Sequence, residues 1–124
     1  MNPSEPDMRV VLRTHLTRAI KHRDALAAGA LRSTLGAIDN AEALTAQEVT
    51  PTAGDGPIAG ATTGLGSSET QRRVLSPQDV VALVEAEIAE RRAASEEIEE
   101  AGRPDRAADL RREADVIEAA LRFP

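Results

Sequence analysis

Apolar positions recur along this chain in four stretches of helical period, separated by one stretch with no period. In the first, Met8, Val11, Leu12, Leu16, Ala19 and Ile20 follow at three- and four-residue steps. The preceding "SEPD" (4–7) sets Ser4 three residues before an acid with Pro between, a capping-box-like start. Lys21, His22 and Arg23 then offer positive charge where a helix ends. The pattern predicts a helix over about 5–23.

Asp24 is placed to cap a second helix, over about 25–46, whose stripe is Ala28, Leu31, Leu35, Ile38 and Ala41. Gly29 and Gly36 lie seven apart on one face of it. Each weakens a helix by about 1 kcal/mol relative to Ala, which implies that another helix approaches that face closely. Residues 46–75 then carry five of the eight glycines and two prolines, so they are expected to form a long flexible loop.

"SPQD" (76–79) repeats the start signal, with Ser76 as cap, Pro77 in the first turn and Asp79 at the third position. The helix it opens, over about 77–101, carries Val81, Val84, Ile88 and Ile98. Arg91 and Ser95 sit in the middle of that stripe and make its centre wetter than its ends. Gly102 fits a left-handed helix end, and Pro104 fits the first turn of a fourth helix, over about 104–122. Ala107, Leu110, Ala114, Ile117 and Leu121 form its stripe. So short a connection makes the last two helices antiparallel neighbours. The expected fold is therefore all-α: a single domain, 1–124, of four main helices in two antiparallel hairpins joined by the flexible loop.

Composition supports this picture. Apolar residues make up 41% of the chain with a single aromatic, Phe123, so a core must come from small side chains on closely packed helices. A net charge of −6 argues against general polyanion binding and gives no expectation of DNA. The absence of cysteine excludes disulfides, thiolate metal sites and thiol catalysis. The first residues lack the pattern of a signal peptide, and no apolar run reaches the roughly 20 residues of a membrane span. A soluble cytoplasmic protein is the expectation.

Candidate chemistry is sparse. The acids of the third helix are spread around it and read as a solvated face, with pairs Glu87–Arg91 and Glu99–Arg103; Arg111–Asp115 and Glu118–Arg122 continue the pattern on the fourth. His15 and His22 are seven apart, whereas a helical zinc pair needs three or four, and His15 falls in the apolar arc as a structural histidine. "GLGSSE" (64–69) lacks the Gly-Lys-Ser/Thr of a phosphate loop. Ser67 or Ser68 as nucleophile would need a buried lysine, and the only one, Lys21, ends a surface helix. In the turn 103–105, Asp105 already complements the helix dipole and opposes anion binding there.

The first helix is the basic element, with Arg9, Arg13, Arg18, Lys21 and Arg23, and Arg72 and Arg73 add a second basic spot. Arg9 and Arg13 share a face, Arg18 lies across the helix, and no aromatic is available to stack on a base. No catalytic, cofactor-binding or metal-binding residue is assigned.

Two segments go further. "AIKHRDALAAGALRSTLGAIDNAE" (19–42), with its Ala-x-Lys-x-x-Asp opening, Leu-Arg pair and Ala-Ile-x-Asn-x-Glu ending, resembles the first half of the YqeY family. "EIAERRAASEEIEEAGRPDRAADLRREADVIEAAL" (87–121), with its Arg-Arg pair ahead of the Ala-Gly-Arg turn, resembles the second half, and "GLGSSETQRRVLS" is similar to the Gly-rich run of its short members. The chain departs from that pattern at Ala94, where the family has Ser, and at Ala120-Leu121-Arg122, where it has Tyr-Leu-Pro. It would be a short form, lacking the C-terminal helical subdomain of longer members.

That family is grouped with the tail of GatB, a component of the tRNA-dependent amidotransferases. The resemblance therefore implies carbon–nitrogen ligation with glutamine as amide donor, yet no residue here is placed to perform it. The leading expectation is a non-catalytic accessory protein, with tRNA or an amidotransferase-type protein as partner and Arg91, Arg92, Arg103 and the basic first helix as contacts. Two alternatives stand beside it: a component of a glutamine-dependent carbon–nitrogen ligase acting with partner subunits, and a structural homo-oligomer.

Overall fold

The structure, a computed structural model, describes residues 7–49 and 75–124. Among them run four helices: α1 (Met8–Lys21), α2 (Ala25–Val49), α3 (Pro77–Glu100) and α4 (Pro104–Arg122). The fold is all-α. α1 and α2 form one antiparallel hairpin, α3 and α4 the other, and α2 joins them by packing on α4 and α3. Of the loop expected over 46–75, residues 46–49 continue α2 and Leu75 packs against the core; residues 50–74 lie outside the described residues.

The starts of α1, α2 and α3 are each fixed by a short polar side chain. Ser76 accepts from the Asp79 backbone N–H at 3.0 Å, and Asp79 accepts from the Ser76 N–H at 3.1 Å, closing the expected capping box. Asp24 accepts from the Ala27 N–H at 3.1 Å and so caps α2. α1 is shorter than expected. Its cap is Asp7, which accepts from the Arg9 N–H at 2.9 Å; Ser4 lies outside the described residues.

Both hairpin turns use one hydrogen-bond motif. The Arg103 N–H donates to the Ile98 carbonyl and the Gly102 N–H to that of Glu99, with Gly102 left-handed at φ +85°. In the first turn the Asp24 N–H donates to Ala19 and the Arg23 N–H to Ile20, with Arg23 itself at φ +56°. The helix expected to reach Arg23 thus stops at Lys21, because Arg23 takes the left-handed position that reverses the chain.

Leu12, Leu31, Ile38, Val84 and Ile117 are fully buried, with Ala27, Ala28, Ala30, Ala114 and Ala120 filling the gaps between helices. In α3 the buried position is Val80, and Val81 is half-buried beside it. Gly29 and Gly36 contradict the expectation of close approach: both are exposed, and a Cβ added at either meets nothing within 4 Å. The alanines beside them on the inner face provide the small surface instead.

Gly29→Ala and Gly36→Ala should therefore each raise stability by about 1 kcal/mol in urea unfolding. Arg23→Gly should raise it by about 0.5–1 kcal/mol, because relief of the left-handed strain exceeds glycine's entropic cost. Gly102→Ala, in the matching position of the second turn, should lower it by about 1 kcal/mol.

Candidate interaction surface

Where α2 meets the second hairpin, the arginine in the middle of the α3 stripe makes the largest polar cluster. The Arg91 side chain is 12% exposed. Its Nη1 donates to Glu87 Oε1 at 2.9 Å, its Nε to Glu113 Oε1 of α4 at 3.0 Å, and its Nη2 to Ser33 Oγ of α2 at 3.1 Å. The expected wet centre is thus a bonded knot between three helices. Ser95, also buried, donates its hydroxyl to the Arg92 carbonyl at 2.7 Å.

Around the knot, cations pair across the helices. Arg92 Nη2 donates to Glu118 Oε1 at 2.6 Å and to Asp115 Oδ1 at 3.1 Å. Arg111 pairs with Glu99, and Arg106 reaches the second oxygen of Glu113 at 3.5 Å. Arg112 donates to Asp24 Oδ2 at 2.5 Å, so the acid that caps α2 also ties the first turn to α4. Of the four expected pairs, Glu87–Arg91 and Glu118–Arg122 form. Glu99–Arg103 and Arg111–Asp115 do not, because the antiparallel helix brings Arg111 to Glu99 and Arg92 to Asp115. The hydrogen bond from Arg92 holds the Glu118 carboxyl below the usual carboxylate range, against the opposing effect of desolvation, and the same bond raises the Arg92 guanidinium.

The eight basic residues expected as contacts consequently divide. Arg91 and Arg92 are engaged as described, and Arg9 is turned toward Asp39 and Glu42 of α2, an ion pair rather than an aligned hydrogen bond. Arg13, Arg18, Lys21, Arg23 and Arg103 are exposed and have no carboxylate partner among the described residues. Four of these five belong to α1 or its turn, and α1 contains no acid. Arg13 and Arg18 leave the helix about 140° apart, on opposite flanks of its outer face.

Between them lies a strip that was not among the expected contacts. Val10, 54% exposed, lies on it; Ile20, 50% exposed, stands beyond Arg13 at its edge, and Lys21 closes it at the C-terminal end. Thr14 and Thr17 share the strip, and their hydroxyls donate back to the Val10 and Arg13 carbonyls at 2.9 and 3.0 Å. With those hydroxyls satisfied on the helix's own backbone, the threonines add methyl groups to the outer face. The seven-residue spacing of Val10 and Thr17 is the signal in the sequence that could have found it. On the inner side His15 Nε2 donates to the Phe123 carbonyl at 3.2 Å and fastens α1 to the end of α4.

Elsewhere the geometry offers little chemistry. An open groove lined by Glu96, Glu99 and Glu100 holds acids alone. Among the described residues no group of three or more His, Cys, Asp or Glu could hold a metal, and no helix is long and apolar enough to cross a membrane. Ser67, Ser68, Arg72 and Arg73 lie outside the described residues. Compared with protein-family profiles, with curated proteins and with solved structures, the chain matches none.

Arg91→Ala should lower stability by about 2–3 kcal/mol, because it strands half-buried Glu87 and leaves Glu113 only its long pair to Arg106; Arg92→Ala should cost less at its exposed site. The lowered carboxyl of Glu118 gives a signed pH dependence. Its contribution is present above the ordinary carboxylate range and is lost as pH falls through the depressed folded value. Glu118→Gln should therefore remove part of the acid sensitivity in unfolding curves taken from neutral pH downward.

Proposed function

We propose that this chain is a non-catalytic interaction protein of the YqeY kind, cytoplasmic, with α1 as its working contact. The observation that carries the reading is charge segregation: in a chain of net charge −6, α1 holds four cations and no acid. Arg13, Arg18 and Lys21 are left facing solvent without a carboxylate partner among the described residues. The resemblance of 19–42 and 87–121 to that family links the contact to the tRNA-dependent amidotransferases. Cations on opposite flanks of a helix with aliphatic groups between them suit an acidic protein surface better than a single phosphate strand.

The test is binding of a purified tRNA-dependent amidotransferase, and separately of labelled total tRNA, at about 20 and about 150 mM salt. Amidotransferase should bind and hold at the higher salt, and an Arg13→Gln/Arg18→Gln/Lys21→Gln/Arg23→Gln variant should bind it at least about tenfold more weakly. Binding to tRNA alone would replace the protein partner by RNA. Equal binding by the variant, or binding of neither probe, overturns the reading.

A further inference from the structure

The outer face of α3 is the counterpart of the outer face of α1. Ala82, Ala86, Ala89 and Ala93 recur at four- and three-residue steps and are all exposed, forming a seam of small side chains opposite the buried stripe of Val80, Val84 and Ile88. Glu85 and Glu96 flank it on one side and Glu90 and Glu97 on the other. These four glutamates have no cation partner among the described residues, because both arginines of α3 are turned onto carboxylates of α3 and α4. The strip on α1 is the inverse: Val10 and the methyls of Thr14 and Thr17 run along it, Arg13 and Arg18 flank it, and Lys21 stands at its end.

The dimensions match as well as the signs. Val10 to Lys21 spans about 16 Å along α1, and Ala82 to Ala93 about 16 Å along α3. Helices meet at about 8 Å when one side offers small residues, which brings flanking cations and carboxylates within pairing distance.

We infer that the outer face of α1 docks on the alanine seam of α3 in a second copy of this chain, its cations against the neighbour's glutamates. The inference rests on the reading of α1 as the contact surface and names a partner for it. Two such contacts closing about a two-fold axis give a dimer, and one contact per pair gives an open chain of copies.

Sedimentation velocity at about 0.1 mM protein, in about 20 and about 500 mM salt, tests it on the full chain. The wild type should exceed the monomer mass at low salt and approach it at high salt. Arg13→Glu/Lys21→Glu, which sets acids against the seam's glutamates, and Glu90→Lys/Glu97→Lys, which sets cations on one flank of the seam against those of α1, should each be monomeric alone. Mixed in equal amounts, they should re-associate. Ala89→Gln, which adds neutral bulk to the seam at an exposed helical position, should weaken association, with circular dichroism reporting an intact fold. A monomeric wild type at low salt, or a mixture that fails to re-associate, overturns the inference. Amidotransferase binding measured on the same preparations separates this failure from failure of the proposed function.

Discussion

The guanidinium of Arg91, set between Glu87 and Glu113 and reaching Ser33, is the constraint on which the arrangement of helices depends. In the core around it, six alanines interleave with eight leucine, isoleucine and valine side chains and Met8. Small side chains let helices come close but give weak directional preference, since sliding one alanine past another changes little in contact area. The arginine supplies what the apolar residues lack. A shift of α4 by one residue would rotate Glu113 away by about 100° and part it from Arg91, at the cost of a half-buried ion pair. The relative position of α2, α3 and α4 is fixed by that cost.

This use of charge inside the fold determines what is left outside. Both cations of α3 point onto acids, so the rest of that helix presents glutamate to solvent. On α1 the sorting is reversed, because Arg9 turns onto two acids of α2 while the remaining cations stay outward. The protomer therefore carries a cationic helix and an acidic helix whose outer faces do not meet each other. Association through such faces gains mainly in specificity and encounter rate, and it weakens as salt screens the exposed charges.

The parts of the fold readable from sequence are those with a local cause. Ser76, Asp24 and Gly102 announce helix ends because a short polar side chain or a missing Cβ acts within a few residues. Arg23 carries no such mark, and its left-handed backbone emerges only when the chain must reverse there. Gly29 and Gly36 mislead because a glycine in a helix is compatible both with close packing and with an open surface, and only the packed partner distinguishes them. The ion pairs divide on the same ground. Partners four residues away are visible, whereas Glu99–Arg111 and Arg92–Asp115 depend on how α3 and α4 align. For the candidate surface, the cations are legible as a composition of α1, but not which of them the fold turns inward.

The two hairpin turns carry the remaining departure from local preference. Both close with the same motif, yet one has Gly102 in the left-handed position and the other has Arg23. Directly after the second turn, Arg103 stands at the start of α4 with no side-chain hydrogen bond to the helix, where Ser or Asp would satisfy a free N–H. At both places an arginine occupies a position where a smaller residue would serve stability better, and both arginines are exposed without a carboxylate partner among the described residues. Residues that break a local rule without strengthening the fold are expected where contact with another molecule sets the choice. On the proposed reading, that extends the cationic surface of α1 around its turn to Arg23 and adds Arg103 of the second hairpin to the proposed contacts.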